Sequence, residues 1–138
     1  MNRARFSEVL LTECKPERVW FVDPWFEEDI RAIALATLSR FPNAVVLQET
    51  SEAAVSRFDD ESLDWIYIDG SHEYEDVRHD LRAWAPKIRS GGVIAGDDYY
   101  WRNAAGDYSV KKAVDEFLVD APVSRWFMVA GQFVMTKA

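Results

Sequence analysis

The sequence predicts an α/β fold with a mostly parallel sheet. Short apolar runs alternate with stretches of helical period, turn residues separate them, and the last two apolar runs flank one glycine as a hairpin would. With 138 residues, 49% of them hydrophobic and 14% aromatic, the chain can fill one core, so residues 1–138 read as a single domain. No repeat, low-complexity tract or linker interrupts the alternation.

Phe6, Val9 and Leu10 give residues 6–14 a helical period, and Cys14 reads there as a packed thiol. RVWFVD (18–23) is a buried strand ending in Asp23. Residues 26–40 form a helix with Ile30, Ile33, Ala34, Thr37 and Leu38 on one side. Its first turn carries Glu27, Glu28 and Asp29, where the helix dipole favours negative charge. AVVLQ (44–48) is the next strand, and SEAAVSRF (51–58) a short helix that Ser51 can cap. DWIYID (64–69) follows as a strand. Val77, Leu81, Trp84 and Ile88 then recur at helical spacing until Pro86 ends the pattern. A Gly-Gly turn leads into the strand GGVIAGDD, and SVKKAVDEFL (109–118) is amphipathic through Val110, Ala113, Val114 and Phe117. WFMVAGQFVMTK closes the chain as a hairpin around Gly131. Right-handed crossovers would put helices on both faces of the sheet.

Composition excludes several roles. A net charge of −8 argues against a nucleic-acid partner, because a phosphate backbone needs a Lys/Arg surface. One cysteine allows no internal disulfide and suits a reducing compartment. Without a stretch of signal-peptide or membrane-spanning character, the expected location is cytoplasmic, with no membrane partner.

The chemistry-bearing residues stand at strand ends, where open α/β sheets bind ligands. Asp69 ends one strand, and Asp97 with Asp98 ends the next. If those strands are neighbours, about 4.8 Å apart, the three carboxylates converge, and a proton or a cation must relieve their repulsion. An all-oxygen set favours Mg²⁺, or Mn²⁺ or Ca²⁺, over zinc. Helix capping and an ordinary Asp-Gly turn account for the same residues without a metal. His72 follows Asp69 closely enough to share its cleft and suits a general base, although a capping or exposed histidine has the same pattern. His79 reads as solvated.

The run LDWIYIDGSHEYEDVRHDLRAWAPKIRSGGVIAGDDY resembles the class I S-adenosylmethionine-dependent methyltransferases. Within them it is similar to the metal-dependent O-methyltransferase branch that includes the macrocin and mycinamicin sugar enzymes, and more distantly to catechol O-methyltransferases. That resemblance implies a Rossmann-like sheet, with S-adenosylmethionine and Mg²⁺ as cofactors and a small-molecule hydroxyl as acceptor. It makes Asp69, Asp97 and Asp98 the metal ligands and His72 the base. It also gives Asp23 to the cofactor ribose, places Ser51 near the adenine, and counts Asp69 with the cofactor site. Glu49 stands where the family commonly has glycine, which weakens the match around Thr50 and Ser51. Trp25, Tyr99, Tyr100 and Trp101 adjoin these acids and read as core or pocket wall, with no catalytic role.

The family's glycine-rich turn, roughly E-x-G-x-x-x-G-x-F-S, is matched only at its end, by R-A-R-F-S at residues 3–7, with Ala4 where the last glycine belongs. The family's central first strand is therefore missing from this chain, and a fragment of a longer gene is the simplest reading. An incomplete sheet leaves unpaired backbone edges, which favours direct pairing of the flanking strands or self-association into a homo-oligomer. Three functions follow: an O-methyltransferase, a non-catalytic remnant that binds a partner, and, less well matched, a metal-dependent hydrolase.

Overall fold

The computed structural model describes residues 5–138; Arg3 and Ala4, the front of the matched turn, lie outside the described residues. The chain gathers into two compact units, Met1–Ala54 and Val55–Ala138.

In the first unit, helix α1 (Arg5–Val9) runs into a π-helical turn, Leu10–Cys14, that stops at Lys15 in the left-handed region (φ 46°). Leu11 takes the buried position of that turn, and Cys14, its last residue, is exposed. The expectation of a packed thiol is corrected accordingly. Strand β1 (Val19–Val22) buries Val19 and Phe21 and leaves Trp20 and Val22 half-buried, the period of two expected of a pleated strand. It pairs in parallel with β2 (Ala44–Leu47), from Val19 beside Ala44 to Val22 beside Leu47. Between them α2 (Glu28–Leu38) buries Ala34 and Leu38, four residues apart on one stripe. The helix starts later than its periodicity suggests, because Trp25 is left-handed (φ 43°) and Glu27 is extended. The short α3 (Ser51–Ala54) closes the unit. Its cap is Thr50, whose Oγ1 accepts the Ala53 N–H at 3.3 Å, so Ser51 is the first helical residue.

The second unit carries a four-stranded sheet in the order β3-β4-β6-β5. Its strands are β3 (Leu63–Ile68), β4 (Ile88–Gly96), β5 (Val123–Val129) and β6 (Gln132–Lys137). Helix α4 (Tyr74–Trp84) crosses from β3 to β4, and α5 (Ser109–Asp120) precedes the hairpin. β3 and β4 are parallel neighbours, and β6 alone runs against the rest. This is the Rossmann-like α/β sheet with a C-terminal hairpin that the sequence predicts. β1 has β2 as its ladder partner and β3 has β4, so each keeps one edge without a strand partner among the described residues.

Three residues fall in different elements from those expected. Ile88 opens β4 rather than extending α4, because Pro86 turns the helix into a 3₁₀ segment, Ala85–Lys87. The Gly-Gly pair lies within β4 as a bulge, where the pairing jumps from Leu63–Ile88 to Trp65–Val93. Gly91 is left-handed there (φ 73°), and a Cβ on Gly92 would sit 2.7 Å from the Asp64 carbonyl oxygen. Leu81, Ile88, Ile94, Val114, Phe133 and Met135 are fully buried between sheet and helices, each side chain contributing about 1.5–3 kcal/mol. That core anchors the strand ends described next. Among the described residues no helix is long and apolar enough to cross a membrane.

Candidate functional site

The acids begin where the strands stop. Ile68 and Gly96 are the last paired residues of β3 and β4, and the Asp97 N–H still donates to the Ile68 carbonyl at 3.1 Å. Asp69 and Asp97 therefore leave neighbouring parallel strands at the same level. Close approach is possible because residue 96 is glycine: a Cβ there would lie 2.4 Å from Phe133 Cζ and 2.6 Å from the Ile68 carbonyl oxygen.

Asp98 then takes a left-handed conformation (φ 59°), which aspartate tolerates better than most residues. Three bonds hold the turn. Asp97 Oδ1 accepts the Asp98 N–H at 2.8 Å, the Asp98 carbonyl accepts the Trp101 N–H at 2.8 Å, and the Gly131 carbonyl accepts the Tyr99 N–H at 2.9 Å. The buried Tyr99 adds a fourth anchor by donating to Asp115 Oδ1 of α5 at 2.6 Å, where Lys111 also pairs with Asp115. Burial and the Asp115 bond raise the Tyr99 pKa, so it stays a donor.

This turn brings Asp98 to His72, with 2.7 Å between Oδ2 and Nε2. One oxygen of Asp69, one of Asp98 and a ring nitrogen of His72 all lie within 4.8 Å of one another. Trp101 stacks on the imidazole at 4.9 Å between centroids and 27° between planes, fixing the ring's orientation. The cleft is lined by the polar Asp69, Ser71, His72 and Asp97 together with the apolar Ile68, Val77, Val110 and Phe133. Asp69 is exposed as a residue, yet the cleft atoms desolvate its carboxyl enough to raise the pKa, and the charges of Asp97 and Asp98 push the same way. Two carboxylates and one imidazole within reach of one another, with no thiolate, form a donor set that fits a hard divalent cation.

Asp97, the third of the expected ligands, is not in that converging group and is held differently. Its carboxylate takes a hydrogen bond from the Tyr67 hydroxyl, and Gln132 Nε2 donates to that same hydroxyl at 2.8 Å. Burial first, and then the Asp97 and Asp69 charges, push the Tyr67 pKa far above its ordinary value, so it is a neutral phenol donor. Tyr67 and Gln132 are the residues that reading motifs alone misses. The available signal was the period of two, which puts Tyr67 on the same face as Asp69.

In the other unit Asp23 directly follows β1, and its Oδ1 accepts the Trp25 N–H at 2.7 Å, an Asx turn that sets the chain into α2. Ser51 is half-buried at the start of α3. His79 is exposed, as expected.

The sequence profile described as a methyltransferase domain matches residues 4–99, well over half of the chain and inclusive of every candidate site residue. The chain belongs to this methyltransferase family. An uncharacterized protein of Sinorhizobium fredii, y4gI, is 29% identical over 93 residues, which are 64% of this chain and 10% of that protein's length. Among solved structures, the O-methyltransferase TomG of Streptomyces achromogenes, involved in tomaymycin synthesis and in complex with SAM, superposes with a TM-score of 0.67. The match has 12% identity and covers 98% of this chain and 70% of TomG. The MycE methyltransferase of the mycinamycin biosynthetic pathway, in complex with Mg and SAH, gives a TM-score of 0.62 at 14% identity, covering 88% of this chain and 36% of MycE. At these identities the structural matches establish a shared fold.

Proposed function

We propose that this methyltransferase domain transfers a methyl group from S-adenosylmethionine to a hydroxyl of a small molecule, assisted by Mg²⁺, as in the metal-dependent O-methyltransferase branch. One observation carries the reading: Asp69, His72 and Asp98 converge at the ends of two adjacent parallel strands, in a chain of methyltransferase family. Asp69, Asp97 and Asp98 would hold the cation, which when bound lowers the pKa of a coordinated hydroxyl. The sulfonium cofactor supplies the methyl group, with Asp23 and Ser51 on its ribose and adenine.

The chain's own residues perform the rest. With the Nε2–H of neutral His72 donating to Asp98 Oδ2, Nδ1 is left as the acceptor nitrogen for the hydroxyl proton. The imidazolium then formed keeps its ion pair with Asp98, and Trp101 holds the ring plane through the change. The apolar wall of Ile68, Val77, Val110 and Phe133 limits water beside the reacting oxygen.

The test is transfer of labelled methyl from S-adenosylmethionine to a catechol-type diol. O-methyl product that disappears with a chelator and returns with Mg²⁺ supports the proposal. Cofactor binding without any transfer across a panel of sugars, catechols and polyketide-type alcohols would favour the non-catalytic binding domain.

A further inference from the structure

The proposed site leaves one question of chemistry open. Asp97 sits within a strand's breadth of Asp69 and Asp98, and its own charge opposes theirs. A carboxylate so placed would turn toward water unless something fixes it.

The sheet register supplies that something. Side chains two residues apart on a strand share a face, so Tyr67 lies on the face of Asp69, next to Ala95 of β4. Ala95 is also paired with Val134 of β6, which puts Gln132, two residues earlier, on the same face. One step beyond the Gly96–Phe133 pair, the same register sets Gln132 beside Asp97. The small side chain of Ala95 leaves room for Gln132 to reach across β4, and its Nε2 meets the Tyr67 hydroxyl at 2.8 Å. A hydroxyl that accepts from an amide directs its own proton elsewhere, and Asp97, two residues past Ala95 on the same face, is the carboxylate set beside it. The other fixed bond on Asp97 comes from the Asp98 N–H.

We infer that Tyr67 and Gln132 are positioning residues for Asp97, a hydrogen-bond relay from the hairpin that fixes how this carboxylate faces the cation. The inference rests on the cation site of the proposed function and adds to it the residues that orient one ligand. Both donors are neutral. A lysine or arginine here would consume the charge that the cation needs, whereas a phenol and an amide orient the carboxylate and leave it anionic. Outer partners of this kind typically set metal affinity by about 10-fold to 100-fold.

The experiment is Mn²⁺ binding, read as the loss of the free-ion paramagnetic resonance signal, for the parent chain, Tyr67→Phe, Gln132→Ala and the double variant. Melting temperature in a chelator is measured beside it. Tyr67→Phe is expected to weaken Mn²⁺ binding by about 10-fold or more, with the metal-free melting temperature little changed. Gln132→Ala shifts affinity the same way by less, and the double variant binds no worse than Tyr67→Phe, because both act through one hydroxyl. Parent-like affinity in Tyr67→Phe overturns the inference while leaving the cation site standing. Equal losses of affinity and of metal-free stability overturn it as well, marking a merely structural role. A parent chain that binds no Mn²⁺ overturns both. Should Tyr67→Phe not fold, Gln132→Ala at the hairpin tip decides: unchanged affinity there rejects the relay.

Discussion

The two units of this methyltransferase domain end their strands on aspartates and use them in opposite ways. After β1, Asp23 spends an oxygen on its own backbone, holding the Trp25 turn that launches α2. After β3 and β4, Asp69 and Asp98 turn outward to each other and to His72, and the backbone is secured by other means: Gly96, the Tyr99–Asp115 anchor and the Gly131 carbonyl. The same residue type at the same place in a strand is thus a local structural device in one unit and a candidate ligand in the other. At the second site, neighbouring strands bring further charges to the same spot. Asp23 accepts a backbone N–H, whereas at Asp69 burial first, and then the Asp97 and Asp98 charges, raise the pKa.

The largest expected effect tests that contrast head on. Asp98→Asn should reduce Mn²⁺ affinity beyond the roughly 100-fold that outer partners govern, whereas Asp23→Asn should leave it unchanged, both read by titration calorimetry. Comparable losses in the two variants would erase the distinction. Next comes Gly96→Ala, which forces a Cβ into Phe133 and the Ile68 carbonyl and should cost about 1–3 kcal/mol in urea unfolding. Gly106, with no atom near its virtual Cβ, resists substitution only through its left-handed φ of 90°, so Gly106→Ala should cost less. Tyr99→Phe, which removes the hydroxyl donated to Asp115 and keeps the Lys111–Asp115 ion pair, should cost about 1 kcal/mol.

The smallest effect has a sign that is easy to get wrong. The Asp69 pKa is raised in the folded state, so the fold binds that proton more tightly than the unfolded chain does. Stability gained from it at low pH is lost as pH rises from the ordinary carboxylate value, about 3.9, through the higher folded value. At neutral pH without metal, Asp69→Asn should therefore melt slightly higher than the parent, with the advantage fading toward about pH 4. A lower melting point at pH 7 would mean that the charged form is welcomed, contrary to the convergent-acid picture.

How much of this was legible beforehand varies with the kind of constraint. The strand-ending acids, His72 and the hairpin at Gly131 could be read because each depends on a local pattern: an apolar run, a turn residue, a short spacing. The bulge at Gly91–Gly92, the start of β4 at Ile88 and the exposure of Cys14 could not. The first two depend on which strand lies beside which and on where Pro86 releases the helix, and the third on a π-helical turn that changes the helical period. Tyr67 and Gln132 lie 65 residues apart and meet only once the order β3-β4-β6 is known. The S-adenosylmethionine positions were read from family likeness, and Asp23 and Ser51 stand at a strand end and a helix start that suit them. Their role remains part of the proposal.

The central claim is that the ends of β3 and β4 form a divalent-cation site. Anomalous diffraction from crystals soaked in Mn²⁺ tests it most directly. The account predicts one strong peak among the carboxylates of Asp69, Asp97 and Asp98, absent from crystals of Asp98→Asn. No peak there in crystals of the parent chain, or a peak that survives the substitution, would contradict it.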